Sequence, residues 1–330
     1  MQKISSNTFF PPHPLKTAVL FLIFNRADTT RQVFEAIRQA KPPRLYVAAD
    51  GPRADKPGEE EKVEQVRRIA TDVDWDCEVK TLFRDKNLGC KYAVSSAITW
   101  FFDNEEEGII LEDDCLPSQS FFWFCEELLE RYKDNERIMI ISGYNKQETW
   151  KQDKYDYFFS CFGGIWGWAT WRRAWNLYDG EMKKLDCFIE NNYFEFLLGK
   201  KLGNIRKMQL INVVQNNVDT WAFPWAFARH VNSGLACVPS NNFVENIGFG
   251  PDATHTFGKN RHVAKKYEIN FPTTSNAIIV PNLEYDMLFQ GKPSFFSMFI
   301  NNILSYIQKK WGVSLSRRYI IKKIKRWFCL

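Results

Sequence analysis

Three consecutive carboxylates, Glu112, Asp113 and Asp114, follow directly on the apolar run GIIL at positions 108 to 111. Like charges set beside a core repel one another and lose hydration, so the arrangement calls for a counter-charge. A divalent cation supplies it: Mg2+ or Mn2+ takes one or two carboxylates together with the diphosphate oxygens of a nucleotide ligand. The alternative is a solvated acidic turn ahead of Pro117. Placement at the end of a buried strand favours the metal.

Other residues of the right chemistry stand at comparable positions. Asn25 and Arg26 follow one apolar run, where the guanidinium can meet phosphate, and Asp50 follows a second, where its carboxylate can accept from a base N–H or a ribose hydroxyl. Ordinary loop capping would explain each of them singly. The segment Arg84-Asp85-Lys86-Asn87-Leu88-Gly89 offers cations, an amide and a turn-forming glycine before a helix start, a cradle suited to phosphate. Gly163 to Trp168 (GGIWGW) would let backbone approach a sugar closely while Trp166 and Trp168 present flat indole faces. Trp171 and Trp175, four residues apart on an expected helix, read as core.

The elements that must position these residues are legible in the first half. TAVLFLIF at 17 to 24 reads as a strand buried on both faces, followed by a helix over 29–40 that Asp28 can cap. LYVAA at 45 to 49, a helix over 59–71, a strand over 78–83, a helix over 92–103, the GIIL strand, a helix over 121–133 and a strand over 137–142 continue the alternation. That rhythm predicts an open α/β sheet whose ligand crevice lies at the carboxyl ends of the strands. Beyond Gly143 the pattern loosens, and a less regular lobe is expected from about residue 145.

Composition bounds the remainder. The 330 residues are 45% hydrophobic and 16% aromatic, which suits a folded enzyme of one large domain or two fused lobes, with a sizeable core, better than a disordered scaffold. Net charge is +5, but all nine Lys and Arg beyond Asp286 stand without a carboxylate, so residues 1–286 carry a net −4. Eight scattered cysteines without C-x-x-C spacing read as reduced thiols of a cytosolic protein. Residues 1–14 lack the pattern of a signal peptide, and no uncharged stretch reaches the roughly 18 residues of a membrane span.

Taken in order, IFNR at 23 to 26, AADG at 48 to 51, RDKNLGCK at 84 to 91, IILEDD at 109 to 114 and GGIWGWATWRRAW at 163 to 175 resemble the motif series of GT-A-fold glycosyltransferases. N-acetylglucosaminyltransferase I and a bacterial branch of nucleotide-diphospho-sugar transferases are similar, over roughly residues 16–257. The resemblance implies a Rossmann-like open mixed sheet flanked by helices, with a donor part over 16–144 after an extension at 1–15, and an acceptor part over 145–290. It implies that Asp114 binds Mn2+ or Mg2+, and that Asn25, Arg26, Asp50, Arg84, Asn87, Lys91, Glu112, Asp113, Gly164, Trp166 and Trp168 meet a nucleotide-sugar donor, UDP-linked in the relatives. Asp219-Thr220-Trp221 is similar to the acidic-Trp stretch in which inverting relatives place the general base. N-acetylglucosaminyltransferase I has two adjacent carboxylates there and this chain has one, so Glu245 stands as the second candidate; Asp219 can equally cap the helix that holds Trp221 and Trp225. Asn246 to Gly250 and Asp252 to Thr256 resemble the bacterial branch's closing segment, which makes His255 a second metal ligand by resemblance.

The segment 291–330 interleaves cations with Trp311, Tyr319, Trp327 and Phe328, the mixture of an amphipathic helical tail at an anionic membrane surface. No nucleic-acid recognition motif accompanies it. The expected setting is therefore cytoplasmic and peripheral to the membrane, beside a glycan or lipid-linked glycan acceptor. Two alternatives stand: a sugar-1-phosphate nucleotidyltransferase, whose G-x-G-T-x-L signature is replaced here by Asn25-Arg26-Ala27-Asp28, and an inactive scaffold with the same fold.

Overall fold

Strand β1 (Val19–Ile23) is buried along its whole length because helices cover both faces of the sheet it centres. It pairs in parallel with β2 (Arg44–Ala49), which pairs in parallel with β3 (Glu78–Phe83). On its other side β1 pairs in parallel with β4 (Glu107–Glu112). The connections are α1 (Ala27–Ala40), α2 (Glu59–Ala70) and α3 (Gly89–Asn104). In this computed structural model the described residues are 9–151, 155–249, 264–275 and 278–290.

The sheet is the expected α/β sheet flanked by helices, with eight strands. After β4 come β5 (Cys115–Pro117), α4 (Ser120–Tyr132) and β6 (Ile138–Ser142). Past Gly143 the chain nonetheless adds three more strands to the same sheet: β7 (Tyr157–Ser160), β8 (Trp168–Trp171) and β9 (Leu235–Pro239), giving the order β3-β2-β1-β4-β8-β6-β9-β7. Strand β8 is antiparallel to both β4 and β6, so the parallel half and the later strands meet at β4. Helices α5 (Arg172–Trp175), α6 (Leu185–Glu190), α7 (Tyr193–Gln215), α8 (Ala222–Val231) and α9 (Leu283–Gln290) complete the helical layers, and β10 (Val244–Asn246) pairs antiparallel with β5.

Alternation along the strands divides the core in two. Phe21, Val47, Ile109 and Leu111 point to the face covered by α1, α2 and α4. Leu20, Tyr46 and Ile110 point to the face covered by α3, where Trp168, Trp175, Trp221 and Trp225 pack together. Trp171 and Trp175 are both core residues, although Trp171 ends a strand rather than sharing a helix with Trp175. The chain divides into two units after Phe289. The basic aromatic tail, 291–330, falls outside the described residues, and among those described no helix is long and apolar enough to cross a membrane.

Candidate functional site

Strand order reverses between β1 and β4: the chain runs outward from β1 through β2 and β3, then returns to the other side of β1. A crevice opens at the carboxyl ends of the strands at such a switch point. Those two ends carry Asn25 and Arg26 on one side and Glu112, Asp113 and Asp114 on the other, so the fold brings the two strongest sequence candidates together.

Arg26, the residue before α1, forms ion pairs with Asp113 and, at 3.0 Å, with Asp114. The backbone N–H of Phe24 also donates to Asp113, at 3.3 Å. Burial lowers Arg26's affinity for its proton, but the two carboxylates outweigh it and hold the guanidinium above its ordinary value. Asp113 is buried; desolvation pushes it up to about 6 against the pull of Arg26. Glu112 has no such partner. Among the described residues no hydrogen bond or ion pair reaches its carboxyl, and burial, reinforced by Asp114 and Asp113, pushes it up to about 8. Three carboxylates thus share one guanidinium, which leaves two negative charges uncompensated when all are ionised.

That imbalance, and the unpartnered Glu112, fit a divalent cation. Among the described residues, however, no group of three or more His, Cys, Asp and Glu side chains is arranged to hold a metal, and Arg26 occupies one oxygen of Asp114. His255 lies outside the described residues. Gly248 closes the site from β10's side: a Cβ there would fall inside van der Waals contact of Asp114 and 2.7 Å from Arg26 Nη1, so any side chain forces Asp114 and Arg26 to shift. The N–H of Ile247 donates to the carbonyl of Asp114 at 2.8 Å, which fixes this approach.

The expected phosphate cradle at α3 is filled from within. Asp50 accepts from the N–H groups of Gly51 (2.9 Å), Leu88 (3.0 Å) and Gly89 (3.1 Å). Asp219 accepts from those of Cys90 and Lys91, each at 2.7 Å. Two carboxylates therefore take the free N–H groups of the first turn of α3, which leaves none for a phosphate. Loop capping, the alternative for Asp50, is what is seen. Asp219 caps α3 rather than the helix of Trp221 and Trp225, which has no side-chain cap. Arg84 donates to Ser96 Oγ at 2.7 Å, Asn87 to the carbonyl of Gly51 at 2.9 Å, and Lys91 pairs with Glu181 at 2.7 Å. Asn25 donates to the buried Glu59, which also pairs with Arg53.

Burial, then the charges of Glu112 and Asp219, push the Cys90 thiol up to about 12. The charges of Glu112 and Asp219 thus both reach this thiol in the first turn of α3. Trp166 is half-buried, with Tyr144 at 4.4 Å and Phe249 at 6.0 Å between ring centroids, and Gly164 packs on Tyr144. Trp168 departs from the expectation of a sugar-facing indole, because it is fully buried, stacked on Trp221 at 5.6 Å. Glu245, on β10 opposite Leu116, is half-buried, and the charge it bears on is that of Lys266. Gly248, Glu59 and Tyr144 were not singled out by residue type; Gly248 sits inside the quoted stretch 246–250, whose glycines were the available signal.

No family model matches the chain, and no curated protein matches it. Among solved structures it is similar to the mannosyltransferase PcManGT from Pyrobaculum calidifontis in complex with GDP-Man and Mn2+, at 10% identity over 70% of this chain and 73% of that one, TM-score 0.37. It is also similar to apo UDP-glucose pyrophosphorylase, at 9% identity over 70% and 93%, TM-score 0.35. A third is a cytidylyltransferase from Leptospira borgpetersenii, at 13% identity over 62% and 72%, TM-score 0.31. Likenesses of this size assign no role to any residue here.

Proposed function

We propose that this chain is a glycosyltransferase that moves a sugar from a nucleotide-sugar donor, UDP-linked, to a hydroxyl of a glycan or lipid-linked glycan, with inversion. The observation that carries this reading is the placement of Glu112, Asp113 and Asp114 beside Arg26 at the switch point of the sheet, with two negative charges left over. Asp114, half-buried, is the residue to hold Mn2+ or Mg2+, with His255 as a second ligand. Such a cation, when bound, offsets charge on a departing diphosphate. Arg26 supplies a fixed positive charge beside it, and Asp113 orients Arg26. Glu112, without a side-chain partner in the protein, contacts the donor sugar in this reading. The half-buried Trp166, packed against Tyr144, offers an apolar wall for the C–H face of a pyranose.

Asp219 is the general base in this reading. Its side chain is exposed, two backbone N–H groups fix its orientation, and each oxygen keeps a further lone pair. It takes the proton of the acceptor hydroxyl as that oxygen attacks the anomeric carbon, opposite the leaving nucleotide. The basic tail holds the enzyme at an anionic membrane surface, where lipid-linked acceptors reside.

Calorimetric titration with UDP, GDP, CMP and dTDP, each with Mn2+ and with chelator, tests the donor site. The expected result is metal-dependent binding of one nucleotide, lost in Asp114→Asn. Binding that is indifferent to Mn2+ and to this substitution overturns the metal assignment, and no binding by folded protein points to the scaffold. Release of pyrophosphate from a nucleoside triphosphate, without sugar transfer, would identify a nucleotidyltransferase instead. Asp219→Asn should keep donor binding and lower transfer about 10²- to 10⁴-fold.

A further inference from the structure

Away from the acidic cluster, the helical layer over β9 buries cations. On α7 beyond Gly199 the residues turned to the interior are Leu202, Gly203, Arg206, Leu210 and Val213, so Arg206 occupies a position in an apolar stripe where a leucine would be expected. On α8 Arg229 and His230 follow the core residue Trp225. Arg206 is 6% exposed, and Arg229 and His230 are each 2% exposed.

The three side chains surround one stretch of chain. The guanidinium of Arg206 lies over the ring of Phe162, 4.9 Å from its centroid, and His230 meets the same ring edge-on at 5.5 Å. Arg229 Nη1 is 3.6 Å from where a Cβ on Gly163 would stand, so the absence of a side chain there gives the guanidinium its room.

Each carries at least one buried nitrogen without a hydrogen bond. Arg206 Nε, Arg229 Nε and Nη1 and His230 Nε2 are all buried without a hydrogen bond, and among the described residues no carboxylate lies within ion-pair distance of either arginine. The nearest candidate, Asp286, accepts instead from the Ser160 hydroxyl and, at 3.1 Å, from the Cys161 N–H. Burial, with Arg229 adding its charge, pushes Arg206 down to about 9, and burial, opposed in part by Cys161 and Asp286, pushes Arg229 down to about 10. A buried charge left unpaired is strongly unfavourable, and a protein that keeps two of them side by side is built for a counter-ion.

We infer that Arg206, Arg229 and His230 form a binding site for a phosphate group, distinct from the acidic cluster. A guanidinium fork matches the oxygens of a tetrahedral oxyanion, and four oxygens can serve donors from three side chains where the two of a carboxylate cannot. The phosphate is either free in solution or carried at the end of a lipid, and the two share this chemistry.

The test uses the intact protein in chelator, at constant ionic strength, with orthophosphate replacing chloride, and separately with vesicles of equal parts phosphatidylcholine and phosphatidate. Orthophosphate at 100 times its Kd should raise Tm by about 5 °C. Arg206→Met and Arg229→Met should each abolish that rise, while leaving Tm without phosphate unchanged or higher. Asp114→Asn should keep the rise, which separates this site from the proposed donor site. A rise with the vesicles alone, lost in both arginine variants, assigns the phosphate to a lipid. No response to either, a response kept in both variants, or variants less stable than wild type without phosphate would each overturn the site.

Discussion

The acidic cluster at the ends of β1 and β4 and the basic cluster between α7 and α8 set the same problem, like charges gathered under cover, and resolve it differently. At the acidic cluster the chain supplies part of the answer: Arg26 pairs with Asp113 and Asp114, and only Glu112 is left to retain its proton. At the basic cluster it supplies less: Asp286, bonded to Ser160 and Cys161, offsets part of the charge of Arg229 from beyond ion-pair distance, and no carboxylate charge bears on Arg206. A cluster with an internal counter-charge is stable when empty. One without it gains stability when a counter-ion arrives.

The same substitution should therefore have opposite effects in the two places. Arg26→Met leaves three carboxylates with no cation and should cost about 3–5 kcal/mol, read as a fall in Tm by calorimetry. Arg206→Met, in the absence of phosphate, should cost nothing; a loss of similar size would dissolve the contrast. Next in size is Glu112→Gln. Glu112 binds its proton more tightly folded than unfolded, so its contribution to stability is fully present below the ordinary carboxyl value of 4.5 and is lost as the pH rises to about 8. Each unit of that displacement is about 1.4 kcal/mol. Denaturant unfolding at several pH values should show the variant gaining on wild type across that window and level above it. Gly248→Ala, which forces a methyl against Asp114 and Arg26, should cost about 1–3 kcal/mol and weaken Mn2+-dependent nucleotide binding. The smallest effect is that of Asp219→Asn on stability, about 1 kcal/mol for the weakened cap of α3, measurable by Tm apart from any change in transfer.

How much of this could be read from the sequence depends on how local the determining contacts are. Strands β1, β2 and β4 were legible because both faces of each are covered, which makes them continuous apolar runs. Strand β5 was not: it has three residues, one of them Pro117, and its partner β10 lies far along the chain. Helix α7 escaped because Gly199 breaks its backbone and Arg206 breaks its apolar stripe. The Arg26 and Glu112-Asp113-Asp114 pair was legible from position after two buried strands. Asp219 was singled out by the acidic-Trp stretch alone, and its hold on Cys90 and Lys91 spans 129 and 128 residues, which no local pattern announces. Trp168 looked like a sugar platform because aromatic density is the same in a cleft and in a core.

That long-range cap also bears on how the chain is made. Helix α3 emerges during synthesis 129 residues before the carboxylate that takes up two of its first N–H groups. Until Asp219 arrives, the amino end of α3 can draw only on Asp50 and water, and the loop from Arg84 to Gly89 is held from one side alone. The parallel half of the sheet, which carries all three carboxylates of the acidic cluster, is therefore not finished when its own residues have been translated; its last fastening belongs to the later half.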